Sequence, residues 1–195
     1  MSSDKLKPQV QDQEAIEAVK TLMKWVGEDP EREGLKDTPA RFVKAWSADF
    51  FSGYKEDPVE HLRRTFEEVG EYDSIIILRD IDFSSYCEHH LVPIMGKAHI
   101  AYIPNGRVVG ISKLARLLDG FARRFQVQER LTEQVASAIQ EVLDPLAVAV
   151  VIDAQHLCIK TRGAHKPNSS MITSSLKGKF RTDPAARQEL FDLIK

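Results

Sequence analysis

"SIIILRDIDFSS", residues 74–85, is followed after a short gap by "IMGKAHIAYIP", residues 94–104. Both runs are rich in Ile and aromatic residues, and "PNGR" at 104–107 offers a turn after the second. They therefore read as two β-strands. They also mark a change of texture. "EAIEAVKTLMKWVG" (14–27) repeats Ile16, Val19, Leu22, Met23 and Val26 at helical spacing, with Gly27 as a stop. "DTPARFVKAWSADFFSGY" (37–54) opens on an N-cap signal at Asp37 or Thr38, has Pro39 in its first turn and stops at Gly53. The charged stretch 54–72 suggests no particular element.

Beyond residue 104, "SKLARLLDGFARR" (112–124) reads as a helix capped by Ser112, with Leu114, Leu117 and Leu118 buried. In "ERLTEQVASAIQEVL" (129–143), Leu131, Val135, Ala138, Ile139 and Val142 form an apolar stripe. "LAVAVVIDAQHLCIKTRG" (146–163) is too β-branched and continuous for a helix and reads as one or two buried strands. "NSSMITSSLKGKF" (168–180) reads as irregular or a short strand, and "DPAARQELFDLIK" (183–195) as a capped terminal helix. The expected fold class is α+β. A helical arm spans 1–72, and a mainly antiparallel sheet with helices on one face spans 73–195.

A 43% hydrophobic and 29% charged composition suits a packed globular chain. A net charge of −2 supplies no basic field, so neither nucleic acid nor a membrane is expected as a partner. Any anionic ligand must be held by a local cluster. The first 18 residues lack an apolar core of the signal-peptide kind, and a soluble cytoplasmic protein is expected.

The chemistry concentrates in "SSYCEHHLVP" (84–93) and around Cys158. Cys87-x-x-His90 lets one loop supply two metal ligands, and Cys158 on a returning strand would make a third. Three ligands and an open position is the catalytic arrangement of zinc, whereas structural sites close with four. Spacing alone leaves three readings open: a metal site, a thiol nucleophile with a histidine base, and a disulfide or two inert thiols. If the second run stays a strand, His156, Cys158, Lys160 and Arg162 share a face, with Arg162 about 13 Å from Cys158. Lys113 and Arg116 share a helical face and could hold an anion beside Ser112. A Glu carboxylate in "QVQER" could accept two N–H bonds from a guanine edge, which adenine cannot offer; helix capping by Gln128 and Glu129 is the plainer alternative.

"CEHH", "GISKLAR", "QVQERLT", "AQHLCIKTRG" and "TSSL", with "DTPARF" in the arm, resemble the zinc-dependent GTP cyclohydrolase I family in order and spacing. The resemblance implies a tunnelling fold, a homodecamer of two face-to-face pentamers, and conversion of GTP to 7,8-dihydroneopterin triphosphate and formate. It implies Zn2+ on Cys87, His90 and Cys158, with His89 beside the metal and His156 donating a proton to the purine. Gln128 and Glu129 match guanine-recognition positions, Glu129 being the anchor. Ser112 matches a position near the ribose and phosphates. Lys113, Arg116 and Arg162 match triphosphate cations, joined by Arg41. The same residues leave two other possibilities: a GTP-binding assembly module that does not turn over, and a reductase of the same fold with a cysteine nucleophile.

Overall fold

Helix-forming sequence at the start of the chain gives way to β-branched sequence, and the structure follows that change. The computed structural model describes residues 10–66 and 74–195, so the expected boundary between 72 and 73 lies outside the described residues. Helix α1 (Asp12–Trp25) packs on α2 (Thr38–Ala45), and Gly27 at φ +93° follows the cap of α1 as expected. Leu22 and Val26 of that stripe remain 60% and 70% exposed, and Trp25 beside them is 81% exposed. Pro39 is buried at the start of α2. The chain continues through a π-helical turn (Trp46–Phe50) and two 3-10 turns (Ser52–Lys55 and Pro58–Leu62). Gly53 lies where this path presses on the body: a Cβ there would come 2.8 Å from the carbonyl oxygen of Arg123.

Strand β1 (Thr65–Phe66) precedes the central hairpin of β2 (Ile76–Cys87) and β3 (Pro93–Ile103), which pair antiparallel. Strand β4 (Val108–Val109) pairs with β1 and leads into α3 (Ile111–Ala122). Strand β5 (Phe125–Gln126) runs parallel to the end of β2 and precedes α4 (Gln128–Leu143). Strand β6 (Ala147–His156) joins β3 antiparallel, and after the single helical turn α5 (Leu157–Lys160), β7 (Met171–Gly178) joins β6. The sheet order is β5-β2-β3-β6-β7, leaving β7 at an edge. The fold is α+β, as expected.

Alternation along the central strands builds two cores. On one face Ile94, Ala98 and Ile100 of β3 and Val148, Val150 and Ile152 of β6 meet Leu114, Leu117 and Leu118 of α3 and Leu131, Val135 and Ile139 of α4. Burial of each of these Ile, Val and Leu side chains contributes roughly 1.5–3 kcal/mol. On the other face Ala101, Ile103, Ala147 and Ala149 pack under Phe180 of α6 (Lys179–Thr182) and Leu190 of α7 (Pro184–Ile194). Asp183 caps α7, accepting from the N–H of Ala185 at 2.9 Å. No helix among the described residues is long and apolar enough to cross a membrane.

Two expectations are corrected. The run 146–163 is not strand throughout. His156 pairs with Ile94, the next partner on β3 is Pro93, and a proline offers no N–H to continue a ladder. Ser112 does not cap α3: Gly110 holds the extended cap position, and Ser112 stands exposed in the first turn. Of the two readings left open for 168–180, irregular or a short strand, the strand holds over its middle: β7 is eight residues long.

Candidate metal centre and nucleotide site

Strand β2 ends on Cys87, and the hairpin turns there. The Cys87 N–H donates to Val92 O at 2.9 Å, and the Leu91 N–H donates to Cys87 O at 2.8 Å. Leu91 closes the turn in the left-handed region, at φ +57°. The turn projects His89 and His90, both exposed, past the buried Cys87. Cys158 arrives from the far side of β3, on the turn α5, and is also buried. Both thiols are free.

The ligand atoms of Cys87, His90 and Cys158 all lie within 4.8 Å of one another, with Cys87 Sγ 3.9 Å from His90 Nδ1. Tetrahedral zinc, with bonds of about 2.3 Å to sulfur and 2.0 Å to nitrogen, needs ligand separations of about 3.5–3.8 Å. A small inward movement meets that, so the donor set fits the metal. Two sulfurs and an imidazole also suit zinc chemically. Burial pushes the Cys158 thiol up, and the neighbouring Cys87 adds to the effect. His89 Nδ1 is 4.0 Å from Cys87 Sγ, so both adjacent histidines stay close to the thiols.

His156 closes β6 two residues before Cys158. Its Nε2 lies 2.7 Å from Oε1 of Gln128, the first residue of α4. Gln128 is 1% exposed, and its Nε2 reaches Ile152 O (3.1 Å), Met171 O (2.8 Å) and Thr173 Oγ1 (3.1 Å). Backbone carbonyls only accept, so they fix which end of the amide faces them. Oε1 is then left to accept from His156, whose proton must sit on Nε2, leaving Nδ1 as the acceptor of the neutral ring. Burial holds the His156 pKa below the ordinary imidazole range, opposed in part by Glu129.

Residues 15–195 match the family model described as GTP cyclohydrolase I. This chain belongs to the GTP cyclohydrolase I family. It is 52% identical over 182 residues to a protein named GTP cyclohydrolase 1 from Sinorhizobium fredii (strain NBRC 101917 / NGR234), covering 93% of this chain and 88% of that one. It is 50% identical over 183 residues to a protein of the same name from Maricaulis maris (strain MCS10), covering 94% and 89%. Among solved structures, an archaeosine synthase QueF-Like in the apo form aligns with a TM-score of 0.46 at 17% identity, over 54% of this chain and 94% of that chain.

In this member of the GTP cyclohydrolase I family the other residues picked out from the sequence do not all lie near the two thiols. Glu129, exposed in the first turn of α4, is near enough to raise the His156 pKa. Arg162 follows α5 and acts on Cys158 electrostatically. The helical turn replaces the strand face expected for Cys158, Lys160 and Arg162, so the 13 Å extended spacing does not occur; Lys160 Nζ instead donates to Gln155 Oε1 at 2.7 Å. Ser112, Lys113 and Arg116 begin α3 just after Val109, whose N–H donates to the Tyr102 hydroxyl at 3.2 Å. Tyr102 is nine residues up β3 from Pro93, about 30 Å at strand rise. Ser112 and the two cations therefore start at the opposite end of the sheet from the Cys87–Leu91 turn. Arg41 lies exposed on α2, paired with Asp37 at 2.9 Å. Gln128 spends its amide on the chain itself, a role visible only once β6 and β7 are placed. Sequence reading also passed over Glu88 and Arg130, which pair between the turn and α4; both stand inside the recognised motifs, but nothing in their spacing links them.

Proposed function

We propose that this chain converts GTP and water to 7,8-dihydroneopterin triphosphate and formate, the first committed step toward folate or related pterins. The observation that carries this reading is the convergence of Cys87, His90 and Cys158 beside His156 in a chain of the GTP cyclohydrolase I family. Zinc is the metal proposed for these three residues, and when bound it supplies a Lewis acid and an activated water.

His156 manages the proton at N7 of the purine, which makes C8 open to attack. Gln128 pins its Nε2–H, so exchange with substrate runs at Nδ1, which has no hydrogen-bond partner among the described residues. Burial holds the His156 pKa below the ordinary imidazole value and so favours the neutral ring, ready to take a proton and pass it on. His89, in the turn beside the thiols, faces the reacting carbon in this reading. The Glu129 carboxylate accepts N–H bonds from the guanine edge, and Gln128 acts on the opposite side of the purine through its hold on His156. Ser112, Lys113, Arg116, Arg162 and Arg41 hold the ribose and triphosphate. Ring opening, loss of C8 as formate and closure of the rearranged ribose complete the reaction.

The start of α3 at the far end of the sheet supports a site completed by a neighbouring copy, since one chain does not carry Lys113 and Arg116 to its own thiols. The free edge of β7 and the exposed Leu22, Trp25 and Val26 support the same assembly, proposed as a homodecamer of two pentamers. In this reading residues 1–72 form a helical arm, residues 73–195 the tunnelling-fold unit, and the enzyme works in the cytoplasm.

The test is incubation of reduced, zinc-loaded protein with GTP, measuring formate and the pterin chromophore. Both products from the wild type, and neither from Cys158→Ala or chelator-treated protein, are expected. Intact GTP after incubation with zinc-loaded wild type would replace this reading with that of a nucleotide-binding module.

A further inference from the structure

A hairpin turn by itself does little to fix where two adjacent imidazoles point. The turn that carries His89 and His90 is gripped from outside, and the grip falls on Glu88, between the thiol Cys87 and the two histidines. The Glu88 N–H donates to the carbonyl of Gln126 in β5 at 3.1 Å. Its carboxylate accepts from Arg130 Nη2, in the first turn of α4. Arg130 is itself held, its Nε donating to Gln126 Oε1 at 3.1 Å. Gln126 is 2% exposed, and its amide nitrogen donates to Phe121 O at 2.9 Å and Gln134 Oε1 at 2.8 Å.

A lone exposed ion pair contributes little, because ordering two long side chains offsets the attraction. Here the ordering is already done. The guanidinium is anchored at Nε by a buried amide, and the carboxylate hangs from a backbone already bonded to that same residue. The five-residue stretch 126–130 also holds His156, through Gln128. Residues 126 and 130 grip the metal turn, and residue 128 grips the histidine.

We propose that Arg130, backed by Gln126 and acting through Glu88, is a positioning residue that sets the Cys87–Leu91 turn relative to His156. This rests on the reading of Cys87, His90 and Cys158 as metal ligands. Arg130 is not one of the three candidate ligands. Its removal leaves every ligand in place but frees the turn that presents His90. Residues that orient metal ligands from behind typically change metal affinity by about 10–100-fold when lost.

The experiment compares wild type, Arg130→Met, Glu88→Gln and the double variant, each loaded with zinc. Zinc release to a chromophoric chelator, the absorption spectrum of the cobalt-substituted protein, thermal unfolding, and kcat and KM for GTP are measured. Glu88→Gln keeps the side-chain shape and serves if Arg130→Met folds poorly. Each single variant is expected to weaken zinc binding roughly 10–100-fold and to alter the cobalt spectrum. kcat should fall more than KM rises, and the double variant should be no worse than the weaker single one. Wild-type zinc release and cobalt spectrum in Arg130→Met overturn the proposal. So do losses that multiply in the double variant, which mean that the two side chains act separately. A lower unfolding temperature at unchanged zinc affinity also overturns it, since that is a merely structural role. Full zinc retention by Cys158→Ala, run alongside, removes the metal centre itself and with it the proposal; that failure shows in a different sample.

Discussion

Replacing Gln128 by methionine separates two roles that one side chain could play. In the structure Gln128 Oε1 sits 2.7 Å from His156 Nε2, and the amide nitrogen reaches two carbonyls and a hydroxyl. Methionine fills much of the same volume and removes all four contacts. Thr173 keeps its Thr132 partner at 2.7 Å, and the carbonyls of Ile152 and Met171 belong to paired strands, so the lasting loss falls on the His156 N–H. A half-buried donor left without a partner costs about 1–3 kcal/mol. The ring can escape that cost only by moving the proton to Nδ1 or rotating away, and either choice empties the productive state. A bias of about 1.4–2.7 kcal/mol corresponds to a 10–100-fold fall in kcat. Because Glu129 is untouched, KM for GTP should change little. Steady-state formate release over a range of GTP concentrations checks this, with urea unfolding to register the loss of stability. A variant with unchanged kcat and a KM raised tenfold would refute the argument and return Gln128 to the guanine edge.

Further consequences follow from packing and titration. Gly96 of β3 faces Ala154 of β6, where an added Cβ would sit 2.5 Å from Ala154 Cα and 2.6 Å from its Cβ. Gly96→Ala should therefore lower stability by about 3 kcal/mol or more, at the upper end of overpacking costs, and a melting temperature equal to wild type would contradict the close approach. Leu117 is fully buried between α3 and the sheet, and Leu117→Ala should cost about 2–5 kcal/mol in chemical unfolding; a cost below 1 kcal/mol would mean that the site collapses freely. Burial lowers the His99 pKa, with Asp80 and Asp153 opposing and Arg79 and Lys97 assisting, while His99 Nδ1 accepts from the Asp80 N–H at 3.3 Å. The unfolded chain then takes up a proton first, so stability should fall as pH drops below about 6.5 and level off below the folded pKa. His99→Gln keeps an acceptor for Asp80 and should flatten part of that slope between pH 7 and 5.5; an unchanged slope would assign the effect elsewhere.

Elements with a strong period were legible in the sequence, and elements defined by a distant partner were not. Ile94, Ile100, Val148 and Val150 alternate or run together as buried strands must, and Leu131, Val135 and Ile139 repeat as a buried helix face must. The stretch after His156 still carries the β-branched Ile159 and Thr161, so its local sequence does not end the strand; Pro93, far away in sequence, does. Strand β7 was obscured for the opposite reason. Its Ser and Thr residues give no apolar alternation, and it becomes a strand by pairing with β6. The thiols and His90 could be picked out because a Cys-x-x-His loop is local and chemically distinctive. Gln128 could be marked as functional from its motif, yet its real neighbours, Ile152, Met171 and Thr173, are 24 to 45 positions away. Ser112 shows the limit of a local rule, since Gly110 takes the cap two residues earlier.

The two thiols come from either side of β3, one at the end of β2 and the other just past β6. The pocket they form cannot exist until those three strands lie in order, and Cys158 is among the last parts of the sheet to leave the ribosome. Metal capture is thus a late event, a staple driven across a finished seam. Both thiols belong to the core between α3, α4 and the sheet, but most of that core is leucine, isoleucine and valine packing that needs no ion. Unlike a zinc finger, which unfolds without its ion, this chain has reason to stay folded when its metal is scarce, so a starved cell would hold a reserve of folded protein awaiting metal.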